Sequence, residues 1–474
     1  MLQRVSYLIL LILLSIYYFF VPEKMDKGVM AILVMLVLAV LVIHAFRKEY
    51  FEPLKGQLLK HSTLVLIGFT VVHFQYYVDF VFGNVTANND FIWINKNIVL
   101  KAFVLSVIGL LSFLIGHSLY FRSITNGILI PESPRSTKAL TFLAFVALVI
   151  YFYTVNSRYL LGYYGSEEMG ASATYAILIF TIAVFAIIVQ NSRNIILSKV
   201  RPQSFGNYLL QHGYLFLFLV GVYLISVVIS GDRGPVMTMG LGIGAGYFFV
   251  SKEKLKIKYA IMIALAGASL MSVLGIARSL DKDIDFQSRI VESIKTESRF
   301  SEQSYLSHTQ ELAGSVRALH TTVSYIPANH DFLLGRFQFQ QLSIVVPFVN
   351  AFNTLIFDNN DFKYKGSASF VTWINQGDYW RYGDGTTCIA DFYFDFGLPG
   401  VILGMFVFGY SMRYAEVSMY SGRLPGLFSN AFLIIYLSYA IYIDRSSYMF
   451  NMKLVVWTVI LLIVNKNYIS RLFK

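Results

Sequence analysis

Three arginines stand at the ends of long apolar runs. Arg233 lies in Ser230-Gly231-Asp232-Arg233-Gly234-Pro235, between the apolar stretches 215–229 and 236–250. Arg278 closes the run 257–278, and Arg445 follows the run 427–443 in the pair Asp444-Arg445. A cation at the edge of a hydrocarbon layer is costly unless it has a partner. The guanidinium stays charged, and its planar fork matches two oxygens of one anion. Anion binding is therefore the chemistry these residues could do. The bland alternatives are an ion pair between Arg233 and its neighbour Asp232, or side chains that snorkel to headgroups. The glycines and the proline around Arg233 call for a tight backbone turn there.

The elements that must position these residues are apolar helices. Hydrophobic residues make up 56% of the 474-residue chain and charged residues 14%, with mean hydropathy +0.60. Soluble domains carry about 25% charged residues, so an integral membrane protein is expected. Runs of helix-spanning length point to an all-α bundle rather than a barrel. The one cysteine, Cys388, excludes an intrachain disulfide framework and a cysteine-based metal site. The net charge of +11 reads as positive-inside loops rather than as a nucleic-acid surface.

Hydropathy places twelve spans near 5–22, 28–46, 61–82, 97–121, 137–155, 172–191, 209–230, 234–251, 257–278, 393–412, 427–443 and 453–467. The first apolar segment lacks a small-x-small cleavage site and reads as a retained helix. Lysines and arginines crowd alternate connections: Arg47, Lys48, Lys55 and Lys60; Arg122, Arg135 and Lys138; Arg193, Lys199 and Arg201; Lys252 to Lys258; Arg413 and Arg423; Lys466 to Lys474. The positive-inside bias then puts both termini in the cytoplasm. Arg233, Arg278 and Arg445 fall on the opposite side, against that bias. The chain divides into nine helices over 1–278, one large extracytoplasmic loop over 279–392, and three helices over 393–474.

The loop is far less apolar than the rest. Residues 281–328 read as one or two amphipathic helices, and 339–357 as a re-entrant or interfacial element, with a further span as its rival. Gly366-Ser367-Ala368-Ser369, Gly377-Asp378 and Gly383-Asp384-Gly385-Thr386-Thr387 precede Ala390-Asp391 and Asp395-Phe396-Gly397. Glycines and small hydroxyls just before a helix N-terminus suit an anion; an ordinary turn and N-cap is the competing explanation.

Taken together, these pieces resemble the Wzy-type oligosaccharide repeat-unit polymerases. The resemblance rests on Gly231-Asp232-Arg233-Gly234-Pro235, on Gly335-Arg336-Phe337 and Val346-Pro347 in the long loop, and on the run from Gly383 through Asp391 to Gly400. It covers roughly residues 200–420; the first two hundred match by topology alone. It implies a GT-C-like bundle in the bacterial inner membrane. The implied reaction transfers a glycan from undecaprenyl diphosphate to the end sugar of another lipid-linked repeat unit, making O-antigen or capsular polysaccharide. Neither a cofactor nor a nucleotide sugar is implied. Membrane lipids, a chain-length regulator and a flippase of the same pathway are the implied partners, and nucleic acid is not.

Such a reaction needs cations to stabilise the leaving diphosphate and a group to take the proton of the attacking hydroxyl. Arg233, Arg278 and Arg445 are the candidates for the diphosphate. His308 and Glu311, three residues apart and on one face if helical, and Asp391 are the candidates for the base. Arg317, Arg336, His320 and Asp384 are weaker candidates for substrate contacts. No histidine spacing supports a bound metal. The first outer loop, 22–27, is too short for the acidic pairs of metal-dependent relatives. An O-antigen ligase shares the donor chemistry and is the nearest rival. A lipid-linked oligosaccharide transporter would show mid-membrane charges and repeats. An acyltransferase would show a His-x-x-x-x-Asp pattern, which is absent.

Overall fold

The computed structural model describes residues 2–47, 60–119, 133–161, 169–199, 202–232, 234–251, 286–295, 309–345, 361–380, 383–420 and 426–466, with residues 267, 273, 277 and 306. Among them, all regular structure is helical, and no strand occurs. Among the described residues, five helices are long and apolar enough to cross a membrane: Lys27–Ala45, His61–Phe82, Val99–His117, Ala171–Ser198 and Cys388–Ser418. The protein is an all-α protein with apolar helices of membrane-spanning length. The ninth expected span, 257–278, lies almost wholly outside the described residues.

The first ten helices are α1 (Leu2–Tyr17), α2 (Lys27–Ala45), α3 (His61–Phe82), α4 (Val99–His117), α5 (Lys138–Thr154), α6 (Ser157–Leu160), α7 (Ala171–Ser198), α8 (Phe205–Leu210), α9 (Tyr214–Ser230) and α10 (Gly234–Ser251). α4 is the central strut. Nearly every side chain along it is buried, because α1, α2 and α3 pack around it together with the helix that starts at Cys388. The loop region adds α11 (Phe286–Lys295), α12 (Gln310–Ala313), α13 (Val316–Tyr325), α14 (Arg336–Val345) and α15 (Ser367–Gln376). α16 (Cys388–Tyr420), α17 (Leu427–Tyr439) and α18 (Met452–Val464) complete the chain.

α16 is two limbs rather than one rod. Gly397 sits at φ 62° and ψ −146°, outside helical space, and Pro399 follows it. The limbs fold toward each other there. A Cβ on Gly404 would meet the Phe392 ring at 2.6 Å, and Gly109 of α4 faces both Ile389 and Met405. The expected tenth span, 393–412, therefore straddles a sharp turn. The second limb, from residue 398 onward, is still about 34 Å long and suffices for a crossing. It meets α4 at backbone contact: a Cβ on Gly409 would lie 2.0 Å from the Phe113 carbonyl oxygen, and one on Gly116 would lie 2.1 Å from that of Phe406.

The last two helices also differ from expectation. α17 and α18 have 13 residues each, or about 20 Å, well short of a hydrocarbon layer of about 30 Å. They form the two sides of a hairpin whose tip, 440–451, is built from turns and two short 3-10 segments. The tip is not at the end of the bundle. The Ile441 carbonyl oxygen and Asp444 Oδ2 lie where a Cβ on Gly68 would be, at 2.4 and 2.7 Å. Gly68 is the eighth residue of α3, about 10 Å from its His61 end. Asp444-Arg445 thus belongs to a tip inside the bundle, not to a loop at the outer face. Hydropathy joined the tip to its flanking helices because Ala440, Ile441 and Ile443 are apolar and packed in protein.

Candidate functional site

The interior tip is the meeting point of chain segments from both faces of the bundle. From the Phe82 face the segment 383–387 leads inward to Cys388, the first residue of α16. Thr387 caps that helix, its hydroxyl accepting from the Ala390 amide at 3.1 Å. The limb then climbs outward, and Tyr393 reaches Tyr18, at the end of α1, through paired hydroxyls 2.8 Å apart. Asp391 and Asp395, one helical turn apart, lie on this limb and are both fully buried.

Each carboxylate organises a neighbouring loop helix. Asp395 receives the amides of Phe337 at 3.1 Å and Gln338 at 2.9 Å, so it caps α14 from outside that helix. Asp391 accepts from Ser367 Oγ at 2.6 Å, from Gln338 Nε2 at 2.5 Å and from Gln341 Nε2 at 3.2 Å. Gln341 accepts in turn from the hydroxyl of Ser447 on the hairpin tip. One buried polar chain therefore links α16, the first residue of α15, α14 and the tip. Asp391 could serve as a base only by exchanging one of these donors.

Arg445 is two residues before Ser447. Its side chain is half-buried, and no described residue forms an ion pair or side-chain hydrogen bond with it. Of the three arginines expected at diphosphate, it is the one the structure describes; Arg233 and Arg278 lie outside the described residues, as does His308. Asp232, the possible partner of Arg233, accepts the amide of Gly234 at 3.2 Å at the start of α10. The convergence expected of the three arginines therefore lies outside the described residues.

The remaining candidates spread over the Phe82 face. Glu311 is half-buried on the one-turn helix α12, which packs on α3. Thr309 beside it donates to Gln75 of α3 at 2.7 Å. Arg317 lies 3.9 Å from the Phe91 ring centroid and 3.6 Å from Asp384. Asp384 also receives Gln376 Nε2 at 2.8 Å, so this pair closes the loop helices over the bundle. Arg336 stacks on Tyr364 at 3.7 Å. His320 is fully buried between the Tyr77 hydroxyl, 2.8 Å from Nε2, and the Ile92 carbonyl, 3.0 Å from Nδ1. Its Nδ1 must therefore carry the hydrogen, and Tyr77 donates to Nε2. Burial pulls the His320 pKa down to about 4, against the Ile92 carbonyl that favours the proton. A neutral, doubly bonded imidazole at this position holds α13 to α3.

The sequence pattern singles out Ser367 among small hydroxyls suited to an anion but not Gln338, Gln341 or Ser447. Amides and hydroxyls have no signature of their own; the available signal was the Asp391/Asp395 spacing, which puts two carboxylates on one helical face and demands donors opposite. Comparison with known protein families, with curated proteins and with solved structures finds no match to this chain.

Proposed function

We propose that this protein is a membrane glycosyltransferase of the repeat-unit polymerase kind. In this reading it has twelve spans and both termini in the cytoplasm. It joins oligosaccharides carried on undecaprenyl diphosphate at the outer face of the bacterial inner membrane, making O-antigen or capsular polysaccharide. The observation that carries the reading is Arg445: a cation without a described partner, on an irregular tip inside an apolar bundle, two residues from the interior end of the Asp391 chain. An unpaired guanidinium in low dielectric favours binding of a compact dianion such as a diphosphate. Arg233 and Arg278 share that role. Glu311 or His308 takes the proton of the attacking hydroxyl, and Arg317, Arg336, His320 and Asp384 shape the acceptor side.

The test is gene replacement followed by analysis of lipid-linked and surface glycan. Loss of the protein should leave single repeat units on the lipid carrier at the outer face. Arg445→Ala should reproduce that phenotype, and Arg445→Lys should restore at most part of the polymer. Full-length polymer from the Ala strain overturns the role of Arg445.

One observation favours a second reading. A half-length hairpin and an inward-leading helix start meet inside the bundle, the pattern by which transporters place substrate sites at broken helices. A transporter of lipid-linked oligosaccharide would leave its repeat units on the inner face. Sealed right-side-out vesicles with an impermeant sugar-modifying reagent distinguish the two. The large ordered cap of α12 to α15 over one face supports the enzyme.

A further inference from the structure

Beneath Arg445, on the side facing α3, three side chains outside the Asp391 chain come together. Asp444, Cys388 and His73 are each fully buried and belong to the tip, to the start of α16 and to the middle of α3. The Cys388 thiol is 3.9 Å from Asp444 Oδ1 and 4.0 Å from His73 Nε2. Asp444 Oδ2 and His73 Nδ1 have no hydrogen-bond partner. Gly68 lies against the same carboxyl, with no room for a Cβ.

We infer that Asp444, with Cys388 and His73 around it, is a proton-binding site whose occupancy holds the hairpin tip against α3. The elements packed on this segment are α3 and α16, and the titratable groups they bring to it are His73, Cys388 and, one turn further on, Asp391. None is a cation within ion-pair reach of Asp444, and Arg445 beside it pairs with no described residue. An ionised carboxylate here would have only its own backbone amide and one long thiol contact as donors, and no hydrogen bond on Oδ2. An unpaired buried charge is strongly disfavoured, whereas the neutral acid leaves only a hydroxyl to satisfy. Asp444 therefore takes up a proton when the tip docks. Loss of that proton leaves an anion that is stabilised only if the tip withdraws from Gly68 toward water. The site's ligand is the proton, and the element it biases is the tip that carries Arg445. The inference does not depend on which reaction the protein performs.

Infrared spectroscopy of the purified full chain in lipid nanodiscs tests it. The wild type should show the carbonyl stretch of a protonated carboxylic acid, shifted in heavy water and missing in Asp444→Asn. Cys388 is the single cysteine and reports on the tip through its rate of alkylation by a maleimide. Ionisation of the thiol itself speeds labelling as pH rises, so Asp444→Asn, which keeps the neutral shape, sets the baseline. The wild-type rate should exceed that baseline by up to tenfold per pH unit as the band disappears, the limit for a one-proton equilibrium. Gly68→Ala, which pushes the tip away, should raise labelling already at neutral pH. An unchanged acid band in Asp444→Asn overturns the assignment of the proton. Equal labelling of wild type and Asp444→Asn at every pH overturns the coupling to the tip.

Discussion

Gly397→Ala tests the turn that brings Asp391 and Asp395 to the loop helices. Two costs fall on the added methyl. The backbone at φ 62°, ψ −146° is close to a region open essentially to glycine alone, and holding another residue there costs about 1–3 kcal/mol. The methyl would also lie 2.9 Å from two carbons of the Phe332 ring, closer than a carbon contact allows, and overpacking of that kind costs about 1–3 kcal/mol. Together they predict a loss of about 2–6 kcal/mol if the turn is kept. If it is not kept, the first limb of α16 swings, and the Asp395 cap on α14 and the Asp391 bond to Ser367 of α15 are lost. Thermal unfolding of the purified protein in detergent, followed by retention of the monodisperse peak, measures the loss. Gly221→Ala in α9, where nothing lies within 4 Å of the new methyl, is the control, and should be neutral or stabilising by about 0.5–1 kcal/mol. Phe332→Ala combined with Gly397→Ala should be less damaging than the sum of the two, because one change removes the obstacle to the other. Wild-type stability in Gly397→Ala would refute the turn, and strict additivity would refute the contact with Phe332.

Two further outcomes follow from packing and burial. Gly409→Ala and Gly116→Ala should each destabilise the protein by about 1–3 kcal/mol by forcing α4 and α16 apart. The pair should be sub-additive, since both methyls press on the same crossing; thermal unfolding of the single and double variants decides. His320 predicts a loss of stability in acid. Folded His320 takes its proton only near pH 4, whereas an unfolded histidine takes it near 6.5. The contribution is complete above about pH 6.5 and is lost as pH falls through that window, for a total of about 3 kcal/mol. His320→Gln should be less stable at neutral pH but should flatten the dependence of the unfolding midpoint between pH 6.5 and 4. An unaltered slope in that variant would exclude His320 as its source.

The helices α2, α3, α4 and α7 could be read in the sequence because each is a single apolar run near the expected length, and their composition alone requires burial in lipid or protein. The two places where reading failed have one physical cause. Hydropathy measures transfer out of water and is blind to whether the residue enters lipid or protein. Ala440 to Ile443 are apolar and lie in protein at a hairpin tip, so the run looked continuous while the backbone turned. Phe392 to Phe396 are apolar except for Asp395, and the turn at Gly397 could be foreseen only from the glycine and from Pro399 two residues later. A helix pattern with those two residues inside it is compatible with both a kinked span and two limbs.

The candidate site was partly legible for a different reason. Charged residues in apolar surroundings stand out, so Arg445 and Asp391 could be singled out before any geometry was known. Their partners could not, because the donors to Asp391 come from Gln338, Gln341 and Ser367, 24 to 53 residues earlier in the chain. The geometry separates two carboxylates that look alike in sequence. Asp391 has donors on both oxygens and ties four segments together, so its removal should disturb the fold first. Asp444 is equally buried with one oxygen unbonded, so changing its charge should act first on the tip and only through it on Arg445. A fully bonded carboxylate holds position; an incompletely bonded one responds to protons. On that distinction Asp444→Asn should preserve folding while altering the pH response, and Asp391→Asn should compromise folding at every pH, because an amide in its place turns an N–H toward groups that now donate, and accommodating it requires Ser367 or a glutamine amide to reverse its hydrogen bond.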